Sequence, residues 1–325
     1  MSNSRPAPAP GDPADRSERI CVFSPSPLFR VTLEQRSGPQ DEVHFHAGGQ
    51  GVWVSRMIRV LGGVPVLCAP FGGESGLVLR RLIEAEDVAL RAVASRGPNG
   101  GEVHDRRRGE RRELAVVASP ELSRHELDDL YSATLVEAID AGVLVLTGPA
   151  QERILPSDTF RRLALDASAN GVRVLADLSG DALHALRGGV HLLKVSHLEL
   201  IAAGLAADEG EAELLAGVER LRERGAANVV VSRAGEPALV SLDGRIAELA
   251  PPRLEEVDHH GAGDSMTAAF AVATARGLSD DAMLRLAGAA GALNVTRHGL
   301  GSGQRAMIER FAERVEVRRR DGGRP

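Results

Sequence analysis

Val143-Leu144-Val145-Leu146-Thr147, Arg173-Val174-Leu175-Ala176-Asp177 and His191-Leu192-Leu193-Lys194 are three short apolar runs, each closing on a polar side chain. Runs of this length read as strands buried on both faces, and helix-length segments separate them. Strand alternating with helix specifies an α/β chain with a parallel, doubly wound sheet. Towards the C-terminus the pattern continues through Val229–Ser232 and Ala238–Ser241. Towards the N-terminus it takes in strands Ile20–Ser24 and Val64–Ala69 and helices over Gly51–Leu61 and Leu77–Glu86. Two β-rich stretches, near 28 to 46 and 99 to 118, break the alternation and predict a small separate sheet. The second carries a charged turn, Asp105 to Arg112. No internal repeat is visible.

Composition sets the class. The chain has 325 residues, 43% of them hydrophobic, which is ample for one large core. No apolar run reaches the roughly 18 residues of a membrane span, and the first 19 residues lack the basic start and apolar stretch of an export signal. The expectation is a cytoplasmic protein without membrane contact. Net charge is −6, and no basic face is interleaved with aromatics, so nucleic acid is not an expected partner. Cys21 and Cys68 sit in strand-like apolar runs and read as buried thiols rather than a disulfide or metal ligands. Residues 1 to 18, rich in Pro and Ala, read as a disordered tail, and 318 to 325 as a solvated basic tail, leaving one domain over 19 to 317.

The chemistry is concentrated in Gly261-Ala262-Gly263-Asp264-Ser265, followed by the small apolar run Met266 to Ala273 and a stop at Gly277. Such a turn opens a helix, whose free N–H groups and positive dipole end accept an anion such as a transferring phosphoryl group. Asp264 beside that anion is suited to take the proton of an attacking hydroxyl, and anion hole plus base is kinase chemistry. On this motif alone a glycine turn merely capped by Asp264 is the competing reading. Lys194 adds to the first: of 39 basic residues it is the only lysine, and it ends a predicted parallel strand, where α/β sites lie. A compact ammonium makes a point contact to phosphate that a forked guanidinium does not copy. A Walker-type loop is excluded, because Lys194 does not follow a glycine, and the dinucleotide fingerprint fails at Met266 and at Val54.

Gly261 to Met266 resembles the C-terminal signature of the PfkB/ribokinase family of sugar kinases, in its phosphofructokinase branch. Ala47-Gly48-Gly49-Gln50-Gly51-Val52-Trp53 with Leu61-Gly62-Gly63 resembles that family's N-terminal glycine motif. Val145-Leu146-Thr147-Gly148, Lys194-Val195-Ser196-His197-Leu198-Glu199-Leu200 and Val229 to Gly235 resemble three further family segments in the same order, so the resemblance covers about residues 20 to 317. It implies a ribokinase-like fold whose small sheet (28–46 and 99–118) covers the substrate as a lid, and possible homodimerisation through it. It implies ATP and Mg²⁺ as cofactors, and a small-molecule acceptor, a sugar, sugar phosphate or related polyol. Asp264 is then the base, and Gly261, Ala262 and Gly263 the anion hole. Lys194, Ser196, Ser232, Gly235 and Asn294 would line the nucleotide, with Ala289 beside the adenine, and Glu199 would hold Mg²⁺ through water. Ser24, Gly48, Gly49, Gln50 and Trp53 would face the acceptor.

The acceptor side departs from the family. Its sugar-gripping Asp corresponds to Leu28, its Lys and Asn in the glycine motif to Gln50 and Trp53, and Pro98 to Val103 lacks its arginine. Gln50 can donate and accept, and Trp53 can stack, but neither supplies charge. The acceptor is therefore open. A nucleoside kinase of the same fold, with Trp53 as stacking platform, and a non-catalytic nucleotide- or metabolite-sensing homologue are the alternatives.

Overall fold

The computed structural model describes residues 18–320 except 36, 37, 39, 110, 150–152, 256–259 and 298. Its strands, in chain order, are β1 (Arg19–Phe23), β2 (Leu28–Glu34), β3 (Glu42–Gly48), β4 (Val64–Phe71), β5 (Ala89–Ala94), β6 (Gly101–Asp105) and β7 (Arg112–Val117). They continue with β8 (Val143–Thr147), β9 (Arg173–Asp177), β10 (Val190–Ser196), β11 (Ala226–Arg233), β12 (Glu236–Leu242), β13 (Arg245–Ala250) and β14 (Glu316–Arg319). One sheet of ten strands runs β14-β13-β12-β11-β10-β9-β8-β1-β4-β5, and a second of four runs β3-β2-β6-β7. From β5 through β11 every pairing in the large sheet is parallel.

Alternation along the strands builds two cores. Ile20, Val22, Val143 and Val145 face one layer, with the helices Gln50–Val60, Ala262–Ala275 and Asp280–Asn294. Cys21, Phe23, Leu144 and Leu146 face the other, with helices Arg124–Ala141, Asp158–Ala169 and Glu211–Glu223. Because both faces are covered, the central strands read as unbroken apolar runs. Phe23 and Phe160 meet edge-on at 5.7 Å in the second core. Cys21 and Cys68 are buried free thiols with sulfurs 3.7 Å apart, as expected. Among the described residues no helix is long and apolar enough to cross a membrane.

The helix Ala262–Ala275 is apolar on all sides and buries ten consecutive residues, Ser265 to Thr274. That pattern marks an interior helix. Its alanines bring the site-bearing N-terminus into the middle of the molecule.

Three features differ from expectation. Ala238–Ser241 was expected to continue the strand–helix alternation, but β11, β12 and β13 form an antiparallel meander, because the turn at Ala234 and Gly235 leaves no room for a crossover helix. Strands β5, β13 and β14 lie where polar residues mask the alternation. Arg318 and Arg319, read as tail, belong to edge strand β14 on β13. Arg319 pairs with Asp281 at 2.6 Å, and Arg320 with Glu211 at 2.5 Å and with Glu248. The remainder of both expected tails, residues 1–17 and 321–325, lies outside the described residues.

Phe270 is fully buried in the first core. Phe270→Ala is expected to lower unfolding free energy by about 3–5 kcal/mol through the cavity it leaves, as read by urea denaturation. A loss below 1 kcal/mol would show that the surrounding helices collapse onto the gap.

Candidate active site

The helix Ala262–Ala275 starts from Gly261, whose φ of 75° is the left-handed conformation that glycine adopts without strain. The Ser265 amide closes the first turn on the Gly261 carbonyl at 2.9 Å. Asn294 pins this turn from the neighbouring helix. Its amide nitrogen donates to the His260 carbonyl at 2.8 Å, and its oxygen accepts from the Gly301 amide at 3.1 Å. Asn294 is buried, and with both amide atoms partnered by backbone it braces the turn. Ala289, expected beside the adenine, is buried in the same helix.

Parallel pairing sets Lys194 of β10 directly beside Asp177 of β9. The ammonium donates to both Asp177 oxygens at 3.2 Å, and Thr267 Oγ1 donates to Oδ2 at 2.7 Å. All three side chains are buried. Lys194 Nζ also abuts the glycine turn: a Cβ added to Gly263 would stand 2.3 Å from it. Only glycine lets the ammonium reach the helix start. Asp177 was read from sequence only as a strand end. The usable signal was an acid closing an apolar strand next to the strand that ends in the sole lysine.

Charge is uneven here. Asp264, partly buried, has its carboxyl pushed up to about 7, first by burial and then by the negative charge of Asp177. The Lys194 ammonium and a hydrogen bond from the Gln50 side chain oppose that rise. Burial would lower Lys194, but Asp177, Glu199 and Asp264 outweigh it, and its pKa lies above the usual lysine value. Lysine thus stays charged, while Asp264 is poised to exchange a proton near neutrality.

Ser196 and Glu199 form a capping box on the short helix His197–Ala202. Ser196 Oγ accepts from the Glu199 amide at 3.2 Å, and Glu199 Oε2 accepts from the Ser196 amide at 2.8 Å and hydroxyl at 2.7 Å. One Glu199 oxygen is thereby committed to the cap. Ser232 lies beside Ser196 in register, and its carbonyl is 3.2 Å from His197 Nδ1. Gly235 sits exposed at the β11–β12 turn. Among the described residues no three acids, histidines or cysteines form a metal-binding group.

Of the residues expected to face an acceptor, Gly48 ends β3 and Gly49 caps the helix Gln50–Val60. Ser24 is buried under that helix, where a Cβ on Gly51 would stand 2.4 Å from its own. Gln50 accepts from the Gly148 amide through its side-chain carbonyl at 2.7 Å, and its side chain lowers the Asp264 pKa against the larger effect of burial. Trp53 is half-buried with the Arg30 guanidinium 5.0 Å over its ring, so one indole face is already covered. Leu28, where the family has its gripping Asp, is buried.

Asp177→Asn keeps the shape of the pair and removes the charge that raises Asp264. The Asp264 titration midpoint, followed by carboxyl NMR, is expected to fall below that of the wild type. An unchanged midpoint would assign the whole rise to burial.

Residues 22–307 match the pfkB family of carbohydrate kinases. The chain is 30% identical over 289 residues to the ATP-dependent 6-phosphofructokinase isozyme 2 of Mycobacterium tuberculosis H37Rv, covering 88% of this chain and 84% of that protein. It is 25% identical to the 1-phosphofructokinase of Bacillus subtilis, over 84% of this chain and 89% of that one. In fold it is similar to phosphofructokinase-2 from Escherichia coli in complex with potassium, with TM-score 0.80 and 23% identity over 91% of this chain and 98% of that one. A ribokinase-like architecture with motifs in order, a glycine turn opening a buried helix and a family match over most of the chain lead to one conclusion: the chain belongs to the pfkB family of carbohydrate kinases, phosphotransferases that act on sugar hydroxyls.

Proposed function

We propose that this chain transfers the γ-phosphate of ATP to a hydroxyl of a sugar or sugar phosphate, with Asp264 as the base and the Gly261–Gly263 turn as the anion hole. The observation that carries this reading is the glycine turn that opens the buried helix Ala262–Ala275, with Asp264 in its first turn and the Lys194 ammonium against Gly263. The free N–H groups of the turn would receive the transferring phosphoryl oxygens. Asp264 would accept the acceptor's hydroxyl proton as the new P–O bond forms and the bond to ADP breaks. Gln50, tied to Gly148, would keep Asp264 aimed at the acceptor. Lys194 would offset phosphate charge while Asp177 and Thr267 hold it in place.

Ser232 and Gly235 at the end of β11, with Ser196, would border the nucleotide. Mg²⁺ favours few carboxylates and several waters. With one Glu199 oxygen in the helix cap and no three-acid cluster among the described residues, the site suits an ion held through water by Glu199. When bound with ATP, Mg²⁺ would neutralise phosphate charge. With Arg30 over one face of Trp53, a nucleoside base could stack only on the other, which weighs against the nucleoside alternative. Retention of the base, the turn and Lys194 argues against a non-catalytic sensor.

For the assembly, Val43 and Phe45 of β3 and Leu114, Val116 and Val117 of β7 expose apolar surface on the edge strands of the small sheet. These support a dimer through the lid.

Asp264→Asn is expected to cut turnover by roughly two to four orders of magnitude with ATP affinity nearly unchanged, measured by acceptor-dependent ADP release and calorimetry. Near wild-type turnover would make Asp264 only a helix cap. Because the base works ionised, wild-type kcat/KM should rise with pH through about 7, following the Asp264 carboxyl. A rate independent of pH between 5 and 9 would separate the reaction from that group.

A further inference from the structure

Arg56 lines the cavity between the small sheet and the helix Gln50–Val60, yet its guanidinium is turned to protein rather than left for a ligand. Among the described residues it donates four hydrogen bonds. Nε and Nη2 reach the two Glu86 oxygens at 2.5 and 2.6 Å, Nη2 also reaches the Ala47 carbonyl at 3.1 Å, and Nη1 reaches the Leu300 carbonyl at 3.1 Å. We propose that Arg56 is a positioning residue for phosphoryl transfer, holding the Gly261–Gly263 turn at a fixed distance from the glycine motif that begins at Ala47. The proposal rests on the kinase reading above, and Arg56 itself touches no substrate in it.

The path from Arg56 to the turn is short. Leu300 is buried and its side chain packs on Gly261: a Cβ there would lie 3.4 Å from Leu300 Cδ2 and 3.5 Å from Leu300 Cβ, an ordinary van der Waals contact. The next residue, Gly301, rests on the helix Gln50–Val60, where a Cβ would stand 2.4 Å from the Trp53 carbonyl oxygen. Its amide donates to Asn294, which in turn holds the His260 carbonyl just ahead of Gly261. Leu300 and Gly301 are therefore clasped between two helices and press on the residue that starts the turn. Arg56 supplies the side-chain hydrogen bond on one side of that clasp, and Asn294 on the other.

Charge and shape both call for arginine here. A planar fork meets one carboxylate and two carbonyls at once, whereas an ammonium is a single point on a flexible stem. Glu86, just beyond the helix Gly73–Glu84, fixes the plane of the fork. Gln50 opens the same helix as Arg56 and bears on the Asp264 carboxyl, and Arg56 follows it about 9 Å along the axis. One helix thus addresses both the base and the turn. Transfer requires the acceptor hydroxyl, Asp264 and the turn amides in line, and a displacement of about 1 Å can cost roughly 100-fold in rate.

Arg56→Lys keeps a cation for Glu86 and loses the fork. With ATP and fructose 6-phosphate in the full-length protein, its kcat should fall roughly ten- to a hundredfold while KM for ATP stays within about threefold of wild type. Leu300→Ala leaves the ion pair intact and removes the packing on Gly261. It should lose kcat in the same way, and it keeps the test informative if Arg56→Lys fails to fold. Glu137→Gln, on the helix Arg124–Ala141 and hydrogen-bonded to Arg19 and Arg91, is the control for stability alone. It should lower Tm at least as much as Arg56→Lys and leave kcat within about threefold of wild type. Amide exchange of the segment Gly261 to Met266, read by mass spectrometry, should quicken roughly tenfold in Arg56→Lys and Leu300→Ala and hold its wild-type rate in Glu137→Gln. Wild-type kcat and exchange in Arg56→Lys overturn the proposal, as does a kcat that falls in step with Tm in all three variants. Faster exchange in Arg56→Lys and Leu300→Ala, in a protein that transfers no phosphoryl group to any sugar or sugar phosphate, sustains the positioning of the turn and overturns the kinase reading instead.

Discussion

The buried pair of Lys194 and Asp177 is the constraint on which the site depends. Two charges leave water together at the ends of adjacent strands, and neither is tolerable alone: removing one partner of such a pair typically costs about 3–5 kcal/mol. Thr267 ties the pair to the helix Ala262–Ala275, so the sheet and that helix share one electrostatic anchor. The same anchor is short of positive charge. Asp177, Glu199 and Asp264 all act on a single ammonium, and the carboxyl least well compensated is Asp264. Its raised pKa follows first from burial and then from this excess of negative charge.

Rigidity around the glycine turn comes from buried polar groups whose atoms each have a backbone partner. Asn294 joins the His260 carbonyl to the Gly301 amide across a helix end. Asn99 plays the same part for the small sheet. Its amide donates to the carbonyls of Pro27 at 3.2 Å and Pro70 at 3.0 Å and accepts from the Gly72 amide at 3.0 Å. Buried amides satisfied at every atom hold backbone segments at defined separations, as positioning for catalysis requires. The small sheet is thereby tied to the large sheet at its base.

The two halves of the site differ in how closely they follow the family. The phosphate half keeps the turn, Asp264 and Lys194. The segments expected to face the acceptor depart from the family's motifs at Leu28, Gln50 and Trp53. The chemistry of transfer is the same for every hydroxyl, whereas recognition must match one molecule, so the second can change without the first.

Local patterns alone determined much of this protein. Apolar runs such as Val143–Thr147 are strands whatever surrounds them, and Gly261-Ala262-Gly263-Asp264 specifies a helix start with an acid beside it, because backbone sterics and the helix dipole are local properties. Tertiary structure decided the partners. Asp177 meets Lys194 only through the register of β9 and β10. Asn294 is a brace because two backbone segments pass it, and Arg30 reaches Trp53 because the small sheet folds over a helix. The β11–β12 segments were legible as strands but their antiparallel direction was not, because it is set by the turn that joins them, while edge strand β14 carries polar residues and takes its identity from a neighbour. Charge balance, pKa and cavity shape depend on distances between residues far apart in the chain, and periodicity along the sequence does not encode those distances.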